Sequence, residues 1–230
     1  MAMQVDGVRA GYGPVDVVRG VDLQVKEGEV VALLGRNGMG KSTLLKALMG
    51  VLPVRSGDVY IFDRTVRGWP SHRIARFGAA YAPQDSALFT ELTVRENLEL
   101  TLPAGQKLEG SAKRIFDLFP ILEERLTQRA GTLSGGQQKI LIVGRALLSE
   151  PRLLLLDEVT EGVQPSIVHR IGQAILAERE RGVSILLVEQ KVAFALQLAS
   201  QYVVMRRGEI AASGPVTNET AAMVERYMVL

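Results

Sequence analysis

Polar and apolar residues alternate through residues 17–25, between the turn-rich segments Gly11-Tyr12-Gly13-Pro14 and Lys26-Glu27-Gly28-Glu29. A period of two predicts a half-buried antiparallel strand there. The next run, residues 30–34, is apolar at every position, as in a strand covered on both faces of a parallel sheet. It passes through Gly35 into a helical pattern over residues 42–49, closed by Gly50. Two further apolar runs, residues 153–156 and 183–187, each follow a segment of helical period. Buried strands alternating with helices predict an α/β architecture around a mixed, largely parallel sheet, with an antiparallel N-terminal β subdomain.

The middle of the chain breaks this rhythm. Thr93-Val94-Arg95-Glu96 has the spacing of a capping box ahead of a helix over residues 97–102. Residues 111–119 carry Ile115, Leu118 and Phe119 at helical spacing before Pro120, and residues 135–148 form a third helical stretch before Pro151. The expected organisation is a single domain over 1–230. Its core takes in about 1–91 and 149–230, and a helical subdomain of about 92–148 is inserted between them.

Composition narrows the function without naming it. The 230 residues are 47% apolar and 23% charged, a globular balance with room for a sizeable core. With no cysteine, disulfide scaffolds, zinc–cysteine sites, iron–sulfur clusters and thiol catalysis are excluded. The 27 basic and 25 acidic side chains nearly cancel. Arg206-Arg207 and the series Arg64, Arg67, Arg73, Arg76 read as solvated surface, so no nucleic-acid partner is expected. The start of the chain has neither the basic nor the apolar region of a secretory leader. No apolar run approaches the roughly 18 residues that a membrane span needs. The expected location is cytoplasmic, with any membrane contact made through other chains.

Chemistry concentrates in three segments. Gly35-Arg36-Asn37-Gly38-Met39-Gly40-Lys41-Ser42 fits the phosphate-loop pattern G-x-x-x-x-G-K-[ST], set between a buried strand and a helix. Its glycines (Gly35, Gly38, Gly40) let the backbone turn its N–H groups, with those of Asn37 and Thr43, toward phosphate oxygens. Lys41 would reach the β- and γ-phosphates, and Ser42 would bind Mg2+. Residues 153–156 then deliver Asp157 and Glu158 at a strand's C-terminal end, where ligands gather in open α/β sheets. Asp157 would hold the metal shell, and Glu158 would act as general base on the attacking water. Ser134-Gly135-Gly136-Gln137 opens a helix, with Ser134 as a cap or as a phosphate donor. The class implied is a nucleotide-binding P-loop NTPase core.

The order of these motifs resembles the ATP-binding subunits of ABC transporters over essentially the whole chain. The resemblance implies that Tyr12 stacks on adenine, and that Gln84 in Tyr81-Ala82-Pro83-Gln84 joins the core to the helical subdomain and touches the metal. It also implies a head-to-tail pair with a second ATP-binding subunit, identical or sister. Ser134, Gly135, Gly136 and Gln137 of one subunit would then face the nucleotide held by the other. A groove near Gln84 would receive a helix from a membrane permease. The segments Val188-Glu189-Gln190 and Glu161-Gly162-Val163-Gln164-Pro165-Ser166-Ile167 narrow the resemblance. They are similar to the ATPases of bacterial uptake systems for branched-chain amino acids or for urea and short amides, which use two permease subunits and an external solute-binding protein.

Two positions depart from the family pattern. Val159 stands where proline usually follows the glutamate, and activity is expected to survive that change. Gln190 stands at the position of a usual histidine, while His72 and His169 read as surface or packing residues. Two alternatives remain open, a soluble ABC-type ATPase and a regulatory switch uncoupled from transport. Gln190 can donate a hydrogen bond to the γ-phosphate but cannot titrate near neutral pH. Gln190→Ala is therefore expected to slow ATP hydrolysis about tenfold or more with the partner subunit present, the lower end of what a hydrogen bond to a charged group contributes. Unchanged turnover would remove Gln190 from the site.

Overall fold

The computed structural model describes residues 1–84, 87–102 and 105–229. Strands β1 (Met3–Tyr12), β2 (Val15–Val25), β4 (Val54–Ile61) and β5 (Arg64–Thr65) form an antiparallel sheet in the order β2-β1-β4-β5. The second sheet contains β3 (Val30–Leu34), β6 (Ala79–Ala82), β7 (Leu153–Asp157), β8 (Ser184–Glu189), β9 (Gln201–Arg206) and β10 (Glu209–Pro215). Its order is β10-β9-β3-β8-β7-β6, parallel except for the β9–β10 pair. Helix α1 (Lys41–Leu48) follows β3, and α2 (Ser71–Arg76) precedes β6. Between β6 and β7 lie α3 (Val94–Glu99), α4 (Leu108–Ser111), α5 (Lys113–Leu118), α6 (Pro120–Glu124) and α7 (Gly135–Leu148). The chain continues through α8 (Pro165–Glu180), α9 (Val192–Leu198) and α10 (Thr220–Val229).

The all-apolar strands are explained by what covers them. Successive side chains on a strand point to opposite faces, and the parallel sheet is buried on both. Leu153 and Leu155 join Val31, Leu33, Leu44 and Leu48 in a core between the two sheets. Leu154 and Leu156 join Ile115, Phe119, Leu141 and Ile175 in a second core beneath the helices. Helix α1 is thereby held between the sheets, and its N-terminus is fixed at the C-terminal edge of β3.

Helix α1 is shifted by one residue from the expected 42–49, and two further helical stretches differ by more. The stretch 97–102 becomes α3, beginning at residue 94 directly after its cap. Thr93 accepts from the Glu96 N–H at 3.2 Å while Glu96 accepts from the Thr93 N–H at 2.7 Å. The helix stops early because its last hydrogen bonds tighten to three-residue spacing, Thr101 N to Leu98 O at 3.1 Å and Leu102 N to Glu99 O at 3.1 Å. The stretch 111–119 is divided into α4 and α5, hinged at Ala112 after Gly110-Ser111. It ends at Phe119, whose φ of −132° and ψ of 72° leave the helical region as the following Pro120 requires.

Phe119 is fully buried and anchors α5 and α6 on the helical core. Phe119→Ala should cost about 3–5 kcal/mol of unfolding free energy, the usual cost of removing a buried ring. Chemical denaturation of the purified chain checks this, and a loss under about 1 kcal/mol would mean that the ring does not anchor this region.

Candidate functional site

The phosphate loop is shaped by close approach as much as by flexibility. At Gly35 (φ 157°) a Cβ would lie 2.6 Å from the Met205 carbonyl oxygen, so no side chain fits. Gly38 adopts φ 79° and Gly40 φ 102°, left-handed conformations that glycine takes without steric cost. Helix α1 starts at Gly40 with no side chain capping it and no acidic residue in its first turn. A helix N-terminus left without an internal partner, preceded by a glycine loop, suits an anion of phosphate type.

Lys41 is buried, and its ammonium donates to the carbonyls of Gly35 at 2.7 Å and Arg36 at 2.9 Å. It also pairs with Glu158 Oε1 at 2.9 Å. Ser42 Oγ donates to Asp157 Oδ1 at 3.1 Å, and the Tyr81 hydroxyl donates to Asp157 Oδ2 at 3.0 Å. Gln84 Nε2 donates to Glu158 Oε2 at 3.2 Å and to Glu161 Oε2 at 2.5 Å. Lys41, Ser42, Gln84, Asp157 and Glu158, drawn from three separate segments, thus meet in one network.

The two neighbouring carboxylates sit differently. Burial pushes the Asp157 carboxyl above its usual range, and the hydrogen bonds from Ser42 and Tyr81 work against that rise. Burial, and then the adjacent Asp157 carboxylate, push the Tyr81 phenol above the ordinary tyrosine range. Glu158 has φ 47°, a left-handed conformation that is strained for a residue with a side chain. Its N–H is held by the Val188 carbonyl of β8 at 2.9 Å. Strand β7 ends at Asp157, and this turn swings the next carboxylate toward Lys41.

A Mg2+ ion could be held here by hard oxygen donors. The Ser42 hydroxyl and the Asp157 carboxylate already converge, and one or two protein oxygens beside substrate phosphates are the usual magnesium shell. Gln84 contributes its amide oxygen as a third candidate. The donor set fits the ion.

The other candidates stand apart from this network. Tyr12 is 51% exposed at the β1–β2 turn. Gln190 is exposed immediately after β8. Ser134 caps α7 through a capping box with Gln137, with Ser134 N–H to Gln137 Oε1 at 3.0 Å and Gln137 N–H to Ser134 Oγ at 3.3 Å. The cap and the phosphate-donor readings of Ser134 therefore start from the same geometry. A Cβ on Gly136 would come within 2.3 Å of Ile167, so this glycine lets α7 pack on the start of α8. Gly135 has nothing within 4 Å of an added Cβ and no positive φ, so nothing within the chain demands glycine there. Lys139, one turn further along α7, donates to the Gln84 carbonyl and connects this helix to the network. His72 and His169 are exposed, outside the network.

Sequence reasoning missed Tyr81 and Glu189 as parts of the site. Tyr81 pairs with Leu155 in the sheet register, which puts it on the same face as Asp157. That register is not readable before the strands are paired. Glu189 is buried at the end of β8 and accepts from the Thr160 N–H at 3.2 Å, while Lys191 donates to the Thr160 carbonyl at 3.0 Å. The residues on either side of Gln190 therefore grip the turn that follows Glu158.

Comparison with known proteins agrees with this geometry. The family described as ABC transporter matches residues 18–161. The branched-chain amino acid transport ATP-binding protein BraG of Pseudomonas aeruginosa is 40% identical over 210 residues, 90% of each chain. The probable branched-chain amino acid transport protein LivF of Archaeoglobus fulgidus is 35% identical, over 90% of this chain and 89% of its own. The lipopolysaccharide export ATP-binding protein LptB of Escherichia coli K12 is 33% identical, over 87% and 85%. A nucleotide-free ATP-binding cassette from an ABC transporter superposes with a TM-score of 0.88 at 26% identity, covering 97% of this chain and 95% of that one. The chain belongs to the ABC transporter family, as an ATP-binding, ATP-hydrolysing cassette.

Burial pushes the Glu189 carboxyl from 4.5 up to about 7. Between these values the folded protein keeps a proton that the unfolded chain has released, so this group's contribution to stability falls as pH rises from 4.5 to about 7. Glu189→Gln removes that dependence. Its stability relative to the native sequence should rise over that interval by about 3 kcal/mol at most and stay level above it. Denaturant titrations at several pH values check this, and a difference independent of pH would show that Glu189 titrates alike in the folded and unfolded chain.

Proposed function

We propose that this chain is the ATP-binding and hydrolysing subunit of an importer for branched-chain amino acids or for urea and short amides. It would work at the cytoplasmic face of the membrane with two permease subunits, a second ATP-binding subunit and an external solute-binding protein. Among the described residues no helix is long and apolar enough to cross a membrane, so the spanning part of such a system falls to other chains. The observation that carries the reading is the convergence of Lys41, Ser42, Gln84, Asp157 and Glu158 beside an uncapped helix start. The solute class rests on the similarity to BraG and LivF and on the Val188-Glu189-Gln190 and Gln164-Pro165-Ser166 segments.

The residues divide the work as follows. The N–H groups of Gly38, Gly40, Lys41, Ser42 and Thr43 cradle the phosphates, and Asn37 and Gly35 shape the loop. Tyr12 stacks on the adenine ring. Phosphate oxygens take the place of Glu158 at the Lys41 ammonium, which releases the carboxylate to accept a proton from the attacking water. Ser42, Asp157 and Gln84 hold Mg2+, which neutralises phosphate charge when bound. Gln190 donates to the γ-phosphate. Ser134, Gly135, Gly136 and Gln137 meet the nucleotide of the partner subunit, so that ATP joins the pair and hydrolysis opens it. A groove of about 500 Å³, lined by Met49, Val51, Ala75, Tyr81, Thr101 and Ile142 among others, takes a permease helix.

A second reading is favoured by the 33% identity to an export ATPase. One experiment separates the two. The Glu158→Gln variant should lose about a hundredfold or more in turnover, the usual contribution of a general base, while still binding Mg-ATP. Captured from native membranes in that state, it should bring with it two permeases and a second ATP-binding subunit. The accompanying external binding protein then identifies the solute by its own ligand. Export components in their place would assign the chain to outward transport, and soluble partners alone would exclude transport.

A further inference from the structure

Both oxygens of Asp157 are engaged, and only one of them by the phosphate loop. Oδ1 accepts from Ser42 at 3.1 Å, and Oδ2 accepts from the Tyr81 hydroxyl at 3.0 Å. Tyr81 reaches the carboxylate from the edge strand β6, where it pairs with Leu155, so its side chain and that of Asp157 stand on one face of the sheet. The two bonds fix the carboxylate plane. If the Tyr81 bond were lost, the group would be free to turn about its last torsion, a soft one for aspartate.

Tyr81 also borders the groove assigned above to a permease helix, alongside Ala79, Ala80 and Pro83 of the same strand and the segment that follows it. One residue therefore lines the groove and has its hydroxyl on the carboxylate. Gln84, three residues further on, belongs to the same segment and reaches Glu158. The sequence shows nothing of this, since a half-buried tyrosine next to a core strand is ordinarily a packing residue.

We propose that Tyr81 is a positioning residue that orients Asp157 for the metal through its hydroxyl and links that carboxylate to the groove. This rests on the reading of Ser42 and Asp157 as the Mg2+ donors. Tyr81 touches neither nucleotide nor metal in this scheme and acts only through Asp157.

The test uses Tyr81→Phe, which keeps the ring and its packing and removes one hydroxyl. ATP affinity of the purified chain is measured by equilibrium binding, first with EDTA and then across a Mg2+ titration. Asp157→Asn is carried in parallel. The expected result is an EDTA affinity within twofold of the native chain and a Mg2+ concentration for half-maximal gain raised about tenfold or more, the size of change that losing one hydrogen bond to a charged group produces. Asp157→Asn should lose most of the Mg2+-dependent gain. If Tyr81→Phe titrates with Mg2+ like the native chain while Asp157→Asn does not, Tyr81 only packs and the inference is wrong. If affinity falls equally with and without Mg2+, the hydroxyl supports the loop in general, and the inference is again wrong. If Asp157→Asn itself keeps the full gain, the assignment of the metal donors fails, and the role of Tyr81 fails with it.

Discussion

Lys41 and Glu158 bury opposite charges at the junction of the phosphate loop and β7, and the arrangement of the site follows from the need to keep them paired. Their side chains are only 3% and 5% exposed, at an N–O distance of 2.9 Å. Burying two ions costs several kcal/mol each unless their remaining donors and acceptors are also satisfied. Here the ammonium has two carbonyls of its own loop, and the carboxylate has Gln84. Anything that binds Lys41 more strongly than Glu158 must also give the carboxylate something to do. A phosphate with a water beside it meets both conditions, so the resting network is already biased toward the chemistry of its ligand.

That pair can form only because strands distant in sequence end at the same level. β3, β7 and β8 lie side by side, with Asp157 opposite Val188 and Leu34 opposite Glu189. The left-handed Glu158 turn is held by a bond to Val188, and the next turn is held from both sides by Glu189 and Lys191. Strain at Glu158 is therefore supported by the neighbouring strand. Gln190, exposed between two residues that grip Thr160, cannot shift far without moving the turn behind Glu158. This ties the loop after β8 to the one after β7 mechanically, with no direct contact between Gln190 and Glu158 needed.

The helical segment is attached to the core by the apolar cluster beneath it and, in addition, by long cationic side chains. Lys139 donates to the Gln84 carbonyl and Arg145 to that of Ala87, while Arg114 pairs with the buried Glu178 of α8. Tyr81 in β6 and Gln84 just after it lie between these attachments and the Asp157–Glu158 turn.

Much of this was legible along the chain. The buried strands, the phosphate loop, Asp157-Glu158, the capping box at Thr93 and the cap at Ser134 are local patterns, since each is set by residues within a few positions of one another. The glycine requirement at Gly35 was legible as a motif, but its cause is the Met205 carbonyl, some 170 residues away. The division of residues 111–119 followed from Gly110-Ser111 and Pro120, weak local signals that a helical period concealed. What the tertiary structure alone decided are the partnerships across strands: Lys41 with Glu158, Tyr81 with Asp157, Glu189 with Thr160. Periodicity tells how a strand alternates but not which strand lies beside it or in what register. The identities of the chemical groups were thus fixed by sequence, and their pairing by the order β7-β8-β3 at the centre of one sheet.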